Sequence, residues 1–140
     1  MSGWHLGAMA PFDLESTGVS VTDDRVVTAC VGLVRPGKDT QVSSWLIDPG
    51  IEIPAGATEV HGITTEMARE KGQKPAEALD LIAGELALAL RSNVPVVGMN
   101  VVFDLSMLHH ECVRHGVPTL SDRLDGPVAP IVDILVLDKK

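Results

Sequence analysis

Two carboxylates stand one residue apart where an apolar run ends, in the stretch "GAMAPFDLESTG" over residues 7–18. If residues 7–14 form a strand that ends at this pair, Asp13 and Glu15 point to the same face, about 7 Å apart along the chain. Two like charges so placed repel each other unless a cation lies between them or one carboxylate is protonated. Carboxylate oxygens are preferred ligands of hard divalent ions such as Mg²⁺ and Mn²⁺. The pair alone fits either a metal site or two solvated side chains at a strand end.

A third carboxylate, Asp104, lies in "GMNVVFDLSML" over residues 98–108. The pattern predicts a short buried strand over 94–100 and a helix over 103–116, which puts Asp104 in the first helical turn. The helix dipole favours a carboxylate there, as it would at any ordinary helix start. Sites in mixed sheets gather at the carboxyl ends of neighbouring strands. Three carboxylates from two strand ends could therefore hold two ions, the usual device for displacement at phosphorus.

The elements that must position these residues follow from the hydrophobic pattern. Strands over 7–14, 25–35 and 40–48, joined by short polar loops, predict an antiparallel meander. Pro11 requires a bulge or an unpaired position if the first strand is central. Residues 49–64 are expected to form an irregular loop, residues 64–72 a short helix, and residues 130–138 the last strand. The best helix spans 75–92, with an apolar stripe of Leu79, Ile82, Ala83, Leu86 and Leu90. The second main helix, 103–116, has Leu105, Leu108 and Cys112 on one face.

This order predicts an α/β fold with one mixed sheet: three antiparallel strands, then alternating helix and strand. A length of 140 residues with 45% hydrophobic residues suits one domain. The absence of a long apolar run or a secretory pattern predicts a cytoplasmic protein that does not act at a membrane. Cys30 and Cys112, without CxxC spacing, are expected to be buried free thiols.

The charge balance is acidic, with 11 Lys and Arg against 19 Asp and Glu and a net charge of −8. No basic stripe is present, which argues against tight, non-specific binding to a phosphate backbone. A nucleic-acid partner would therefore need a local source of attraction such as bound metal.

Three segments together resemble one enzyme family. "FDLESTG" resembles the first motif of the DEDD 3′–5′ exonucleases, "VHGIT" (60–64) the segment after their third strand, and "GMNVVFDLSML" their second motif. The resemblance is greatest to the branch that contains the proofreading (epsilon) subunit of bacterial DNA polymerase III. It implies a ribonuclease H-like fold and removal of nucleotides from a nucleic-acid 3′ end with two Mg²⁺ or Mn²⁺ ions.

The resemblance also implies roles for individual residues. Asp13, Glu15 and Asp104 would be the catalytic metal ligands. Leu14, Ser16 and Thr17 would line the 3′-terminal nucleotide, and His61 would lie near its sugar or base, although a loop-packing role for His61 is equally open. The implied partner is the 3′ end of single-stranded nucleic acid. DNA is favoured although no residue decides between DNA and RNA, and a polymerase or another protein is a further candidate partner. Other residues are interpreted as structural or surface groups: Asp133, His109, His110 and His115.

The third motif of the family is absent from the 140 residues. That motif is a general-base His with an Asp five residues later, or a Tyr four residues before an Asp. The residues five positions after the five histidines are Ala10, Glu66, Arg114, His115 and Leu120, and the sequence contains no Tyr. Residues 1–140 are therefore expected to be the N-terminal part of an exonuclease domain, C-terminally incomplete, with little hydrolysis of its own. The alternative is a non-catalytic protein-binding module that retains the fold.

Overall fold

The computed structural model describes residues 7–134 of the chain. The strands in this range are β1 (Ala10–Ser16), β2 (Val26–Leu33), β3 (Gln41–Leu46), β4 (Val96–Gly98) and β5 (Ile131–Asp133). The helices are α1 (Ala55–His61), α2 (Thr65–Lys71), α3 (Pro75–Arg91), α4 (Val101–Arg114) and α5 (Leu120–Leu124). None of the helices in residues 7–134 is long and apolar enough to cross a membrane.

The strands form one mixed sheet in the order β3-β2-β1-β4-β5. β1, β2 and β3 pair antiparallel, as the meander prediction requires, while β4 lies parallel to β1 and β5 parallel to β4. Pro11 is unpaired on the β2 side, where the register begins one residue later at Phe12 opposite Val31, whereas on the other side it lies opposite Val97 of β4. The proline ring lies against Gly32, where an added Cβ would be 3.4 Å from the ring Cδ.

The buried residues form two clusters, and β2 has a bulge beside the end of β1 where the two clusters adjoin. The register of β1 and β2 shifts between Glu15 and Ser16, so that β2 carries one extra residue. Val26 belongs to the main core, whereas the adjacent Val27 belongs to a second, smaller cluster that also contains Ile53 and Ala68. Regular alternation from Ala29 and Val31 would place Val27 in the main core, and the bulge places Val26 there instead; both valines are 0% exposed.

The main core lies between the sheet and helices α3, α4 and α5. Ala10, Phe12 and Leu14 alternate along β1 as its buried residues. All five residues of the predicted α3 stripe are buried, which confirms the amphipathic helix. On α4 the buried face differs slightly from the prediction, because Leu105 is only half-buried. The buried residues of α4 are Val101, Asp104, Met107, Leu108, Glu111 and Cys112.

Several other predictions need correction. The region predicted as an irregular loop, 49–64, contains α1, which begins after Pro54 and ends at Gly62 with a left-handed φ of 80°. α1 has no buried residue, so it has no apolar stripe that could predict it. α5 was not predicted either; it has five residues and begins with a capping box between Thr119 and Asp122.

The remaining differences concern element bounds and one thiol. α4 begins two residues before the predicted position 103. The last strand is confirmed over Ile131–Asp133, and residues 135–138 of that prediction lie outside the described residues. Cys112 is buried as expected, whereas Cys30 is half-buried because it lies on the face of β2 that the main core does not cover.

Candidate active site

The end of β1 presents two carboxylates on the sheet face opposite Phe12 and Leu14. Asp13 is exposed and Glu15 is half-buried, whereas Phe12 and Leu14 are buried. Asp13 lies opposite Cys30 of β2, and Glu15 lies opposite Thr28. The Thr28 hydroxyl donates a hydrogen bond to Glu15 Oε1 at 2.9 Å. The two acids therefore share a face as predicted, but Glu15 is already engaged by β2.

The chain brings Asp104 close to Asp13 at the point where β4 ends and α4 begins. β4 ends at Gly98, Asn100 takes a left-handed φ of 54°, and α4 begins at Val101. The glycine allows close approach to β1, since an added Cβ would lie 2.7 Å from the Phe12 carbonyl oxygen. Asp104 follows in the first turn of α4, with only 6% of its surface exposed. The predicted position of this carboxylate in the first helical turn is confirmed.

The electrostatics connect Asp104 with Asp13. The pKa of Asp104 is raised to about 7, first by burial and then by the negative charge of Asp13, while a hydrogen bond from the Leu14 backbone N–H opposes the rise. Burial also raises the pKa of Asp13, followed by the charge of Glu15, and the Leu14 N–H again opposes the rise. These carboxylates repel one another without a compensating positive charge, and such a set is chemically suited to a hard divalent cation.

The geometry is not that of a finished metal site. Across residues 7–134, no group of three or more His, Cys, Asp and Glu side chains is arranged so that it could hold a metal ion as it stands. Glu15 accepts a hydrogen bond from Thr28, the charge of Glu15 acts on Asp13, and the charge of Asp13 acts on Asp104. Thr28 occupies only Oε1 of Glu15, so the second carboxylate oxygen is the one that joint ligation by all three predicted residues would use.

Asp133 is a fourth carboxylate beside this group. It ends β5, and its Oδ2 lies 3.4 Å from the backbone nitrogen of Val102 in the first turn of α4. Its negative charge is a further cause of the raised pKa of Asp104. The sequence interpretation of Asp133 as a structural residue agrees with this contact, but its electrostatic influence on Asp104 was not predicted, because no local pattern relates residues 104 and 133.

A cleft opens beside the carboxylates, between α1 and the β1–β2 turn (residues 17–25). The Thr17 hydroxyl is buried, donates to Asp24 Oδ1 at 2.8 Å and accepts from the Arg25 N–H at 2.9 Å. Asp24 Oδ2 accepts from the Ser20 N–H at 2.8 Å, so one carboxylate holds the turn together. Gly18 is required beside it, because a Cβ would lie 2.5 Å from Asp24 Oδ2. The cleft is lined by Asp13, Leu14, Glu15, Ser16, Thr17, Gly18, Val19, Gly56, Ala57, Val60 and His61.

His61 closes one end of the cleft by connecting α1 to β1. Its Nδ1 accepts a hydrogen bond from the Ile63 backbone N–H at 3.1 Å. The proton of the neutral ring is therefore on Nε2, which donates to the Ser16 carbonyl oxygen at 3.1 Å. His61 thus has a packing role and also lines the cleft, while contact with a nucleotide stays a prediction. The three histidines of the α4 region differ in burial: His109 is exposed, and His110 and His115 are half-buried.

Sequence reasoning missed one buried carboxylate of α4, Glu111, which is 2% exposed. It stands seven residues after Asp104, two helical turns along the same face. An acid within the apolar face of a helix was the available signal. Its Oε2 accepts a hydrogen bond from the Val26 backbone N–H at 2.8 Å, where β2 begins.

The chain is similar in sequence to bacterial DNA polymerases III and in fold to exonuclease I. The chain is 29% identical over 124 residues to the PolC-type DNA polymerase III of Streptococcus thermophilus, covering 89% of this chain and 8% of that protein. The fold is similar to that of Escherichia coli exonuclease I in complex with a dT13 oligonucleotide, with a TM-score of 0.75 and 20% identity over 93% of this chain and 28% of that one. A zinc-bound form of the same exonuclease with single-stranded DNA has a TM-score of 0.76, 19% identity and the same coverage of both chains.

These similarities confirm the predicted ribonuclease H-like mixed sheet. The chain spans a small part of the length of each of these relatives, so their complete activities do not transfer with the fold. The family itself rests on a broader match, because the sequence model of the RNase_T exonucleases covers residues 11–140. The chain therefore belongs to this exonuclease family, as the resemblance in its three motifs predicted.

Proposed function

We propose that this chain forms part of the catalytic domain of a metal-dependent 3′–5′ exonuclease, which removes nucleotides from the 3′ end of single-stranded DNA. The observation that carries the proposal is the convergence of Asp13 and Asp104, from β1 and α4, at one strand end. A fold that only had to be stable would gain nothing from two carboxylates whose charges repel. Because the chain belongs to an exonuclease family, we interpret the two carboxylates as ligands of a catalytic metal ion.

In the proposed mechanism, Asp13, Glu15 and Asp104 hold Mg²⁺ or Mn²⁺ at the scissile phosphodiester. Bound divalent ions supply activation of the attacking water and stabilisation of the leaving 3′ oxygen. Asp13 and Asp104 fit this task because their pKa values are raised first by burial and then by a neighbouring carboxylate, and a cation would compensate that negative charge.

The cleft would receive the 3′-terminal nucleotide. Leu14 and Ser16 line it from β1, Thr17 supports it through the β1–β2 turn, and His61 closes it from α1. The Thr17 hydroxyl is fully engaged by Asp24 and Arg25, so Thr17 would act by shaping the wall of the cleft. A chain of net charge −8 has little attraction of its own for a phosphate backbone, and the ions would supply it.

Hydrolysis by the 140 residues alone is expected to be slow. The sequence has no His followed five residues later by Asp, and it has no Tyr. A group that takes the proton from the attacking water contributes typically 10²–10⁴-fold to such reactions, about 3–5 kcal/mol. We therefore expect metal and nucleotide binding to be easier to detect than turnover.

The first test is a Mn²⁺ titration followed by electron paramagnetic resonance, with wild type, Asp104→Asn and Asp39→Asn. Asp39 is an exposed acid in the loop before β3, and its variant is the matched control for the loss of one negative charge. We expect wild type and the control to bind Mn²⁺ alike and Asp104→Asn to bind at least tenfold more weakly. Equal binding by all three proteins would show that the metal site is elsewhere or absent.

The second test is hydrolysis of a 5′-labelled single-stranded DNA oligonucleotide by excess protein with Mn²⁺. A 3′–5′ exonuclease gives a ladder of shortened labelled products, whereas attack from the 5′ end releases the label at once. The same sequence as RNA tests the preference for the sugar. If Mn²⁺ does not bind and no ladder forms, the proposal fails and a non-catalytic protein-binding module becomes the better account.

A further inference from the structure

The side of α4 that faces the β1–β2 turn carries an ion pair between the buried Glu111 and the surface residue Arg114. Glu111 Oε1 accepts from Arg114 Nε at 2.9 Å, and the Glu111 side chain is 2% exposed. His115 Nε2 lies 3.8 Å from the same oxygen. A buried carboxylate without such partners would be costly, so this arrangement holds Glu111 in one place.

Each member of the pair also bonds to the backbone at the β1–β2 turn. Glu111 Oε2 accepts the Val26 N–H at 2.8 Å, immediately after the turn. An Arg114 terminal NH₂ donates to the Thr22 carbonyl oxygen at 2.9 Å, within the turn. The two bonds join α4 to the segment that forms one wall of the cleft, and they are separate from the internal bonds of Asp24.

The same helix carries Asp104 at its other end. Asp104 and Glu111 both lie on the buried face of α4, one beside the end of β1 and the other at the start of β2. α4 therefore fixes the distance between Asp104 and the β1–β2 turn, provided that the bonds from Glu111 and Arg114 hold the turn against the helix.

We infer that Glu111 and Arg114 are positioning residues, which hold the β1–β2 turn against α4 so that the cleft fits the 3′-terminal nucleotide beside the carboxylates. This inference rests on the proposed function and adds a role for two residues that touch neither metal nor nucleotide. It predicts that loss of the pair weakens nucleotide binding without weakening metal binding.

The test measures binding of thymidine 5′-monophosphate, the kind of product that 3′–5′ hydrolysis releases, to the Mn²⁺-loaded 140-residue chain by calorimetry. Arg114→Ala removes the bond to Thr22 together with the ion pair to Glu111, while Glu111 keeps its bond from the Val26 N–H. Arg91→Ala is the matched control, because Arg91 also ends a helix and donates to a carbonyl oxygen, that of Arg123, in another element. We expect Arg114→Ala to weaken nucleotide binding about three- to tenfold, as one lost hydrogen bond would. We expect Mn²⁺ affinity to stay unchanged and the control to behave as wild type.

Amide hydrogen exchange supplies a readout of the turn itself. Residues 17–25 should exchange faster in Arg114→Ala than in the control, whereas β3 should not change. Glu111→Gln keeps an acceptor for the Val26 N–H but removes the charge that orients Arg114, and it should shift both readouts in the same direction. Because Arg114 is at the surface, its variant keeps the test valid even if Glu111→Gln does not fold.

The outcomes separate this inference from the proposal on which it rests. If wild type binds no nucleotide with Mn²⁺ present, the proposed function fails and the positioning role fails with it. If wild type binds and Arg114→Ala binds equally well, only the positioning role is refuted. A parallel loss of Mn²⁺ affinity in Arg114→Ala would also refute it, because the pair would then act on Asp104 and not on the turn.

Discussion

Replacing Asp104 by Asn should make the metal-free protein more stable at neutral and alkaline pH. Asp104 is 6% exposed and its pKa is raised from 3.8 to about 7, first by burial and then by the charge of Asp13. Folding therefore forces a buried carboxyl either to keep its proton or to carry an unfavourable charge. Asparagine resembles the protonated acid and still offers an oxygen to the Leu14 N–H, so the variant avoids the cost of ionisation.

The magnitude follows from the linkage between proton binding and unfolding. The folded state binds more protons than the unfolded state between pH 3.8 and about 7, so stability falls as the pH rises through this window. At about 1.4 kcal/mol per pH unit, the total loss above pH 7 is about 4 kcal/mol. At pH 5 the loss is only about 1–2 kcal/mol. The remaining two pH units up to about 7 account for about 3 kcal/mol, so the advantage of Asp104→Asn should grow by about that amount between pH 5 and pH 8.

The measurement is urea unfolding of wild type and Asp104→Asn, followed by circular dichroism, at both pH values in the presence of a chelator. Adding Mn²⁺ at pH 8 should stabilise wild type and leave the variant unchanged, because a ligand of the folded state raises stability by mass action. If the two proteins differ by the same amount at both pH values, or if wild type is the more stable at pH 8, the description of Asp104 as a destabilising buried acid is wrong.

Three further predictions concern other parts of the fold. Gly98→Ala should destabilise the protein by about 1–3 kcal/mol in urea unfolding, because the new Cβ would meet the Phe12 carbonyl oxygen at 2.7 Å; an unchanged midpoint would contradict the close approach of β4 to β1. Gly84→Ala, inside α3 with its nearest neighbour 3.7 Å from the added Cβ, should stabilise by about 0.5–1 kcal/mol, and a loss would contradict the open space. Burial raises the pKa of the Cys112 thiol to about 11, so a disulfide reagent at pH 8 should modify only Cys30 before unfolding, and Cys30→Ser should remove that reaction.

The parts of the fold that were predictable are those in which periodicity and burial agree. α3 was predicted because Leu79, Ile82 and Leu86 repeat at helical spacing and all face the core. α1 was not, because it buries nothing and is defined by Pro54 before it and Gly62 after it, two residues that equally signal a loop. A short helix that buries no side chain has no periodic hydrophobic pattern from which it could be predicted.

The site was predictable to a similar extent. The shared face of Asp13 and Glu15 and the place of Asp104 in a first helical turn follow from strand and helix geometry. The hydrogen bond from Thr28 to Glu15 and the approach of Asp133 to α4 depend on the register and order of strands, which no local pattern contains. Side-chain contacts between distant segments therefore had to come from the structure.

The parallel pairing of β1 with β4 has a consequence for biosynthesis. It consists of Ala10 opposite Val96 and Pro11 opposite Val97, and it brings together carboxylates that are about ninety positions apart in the chain. While a ribosome is still making the helices, the antiparallel meander has its neighbours and can form, but Asp13 has no Asp104 beside it. The emerging sheet thus lacks the cation site proposed above, and we expect affinity for divalent ions to appear only after α4 has packed against the sheet.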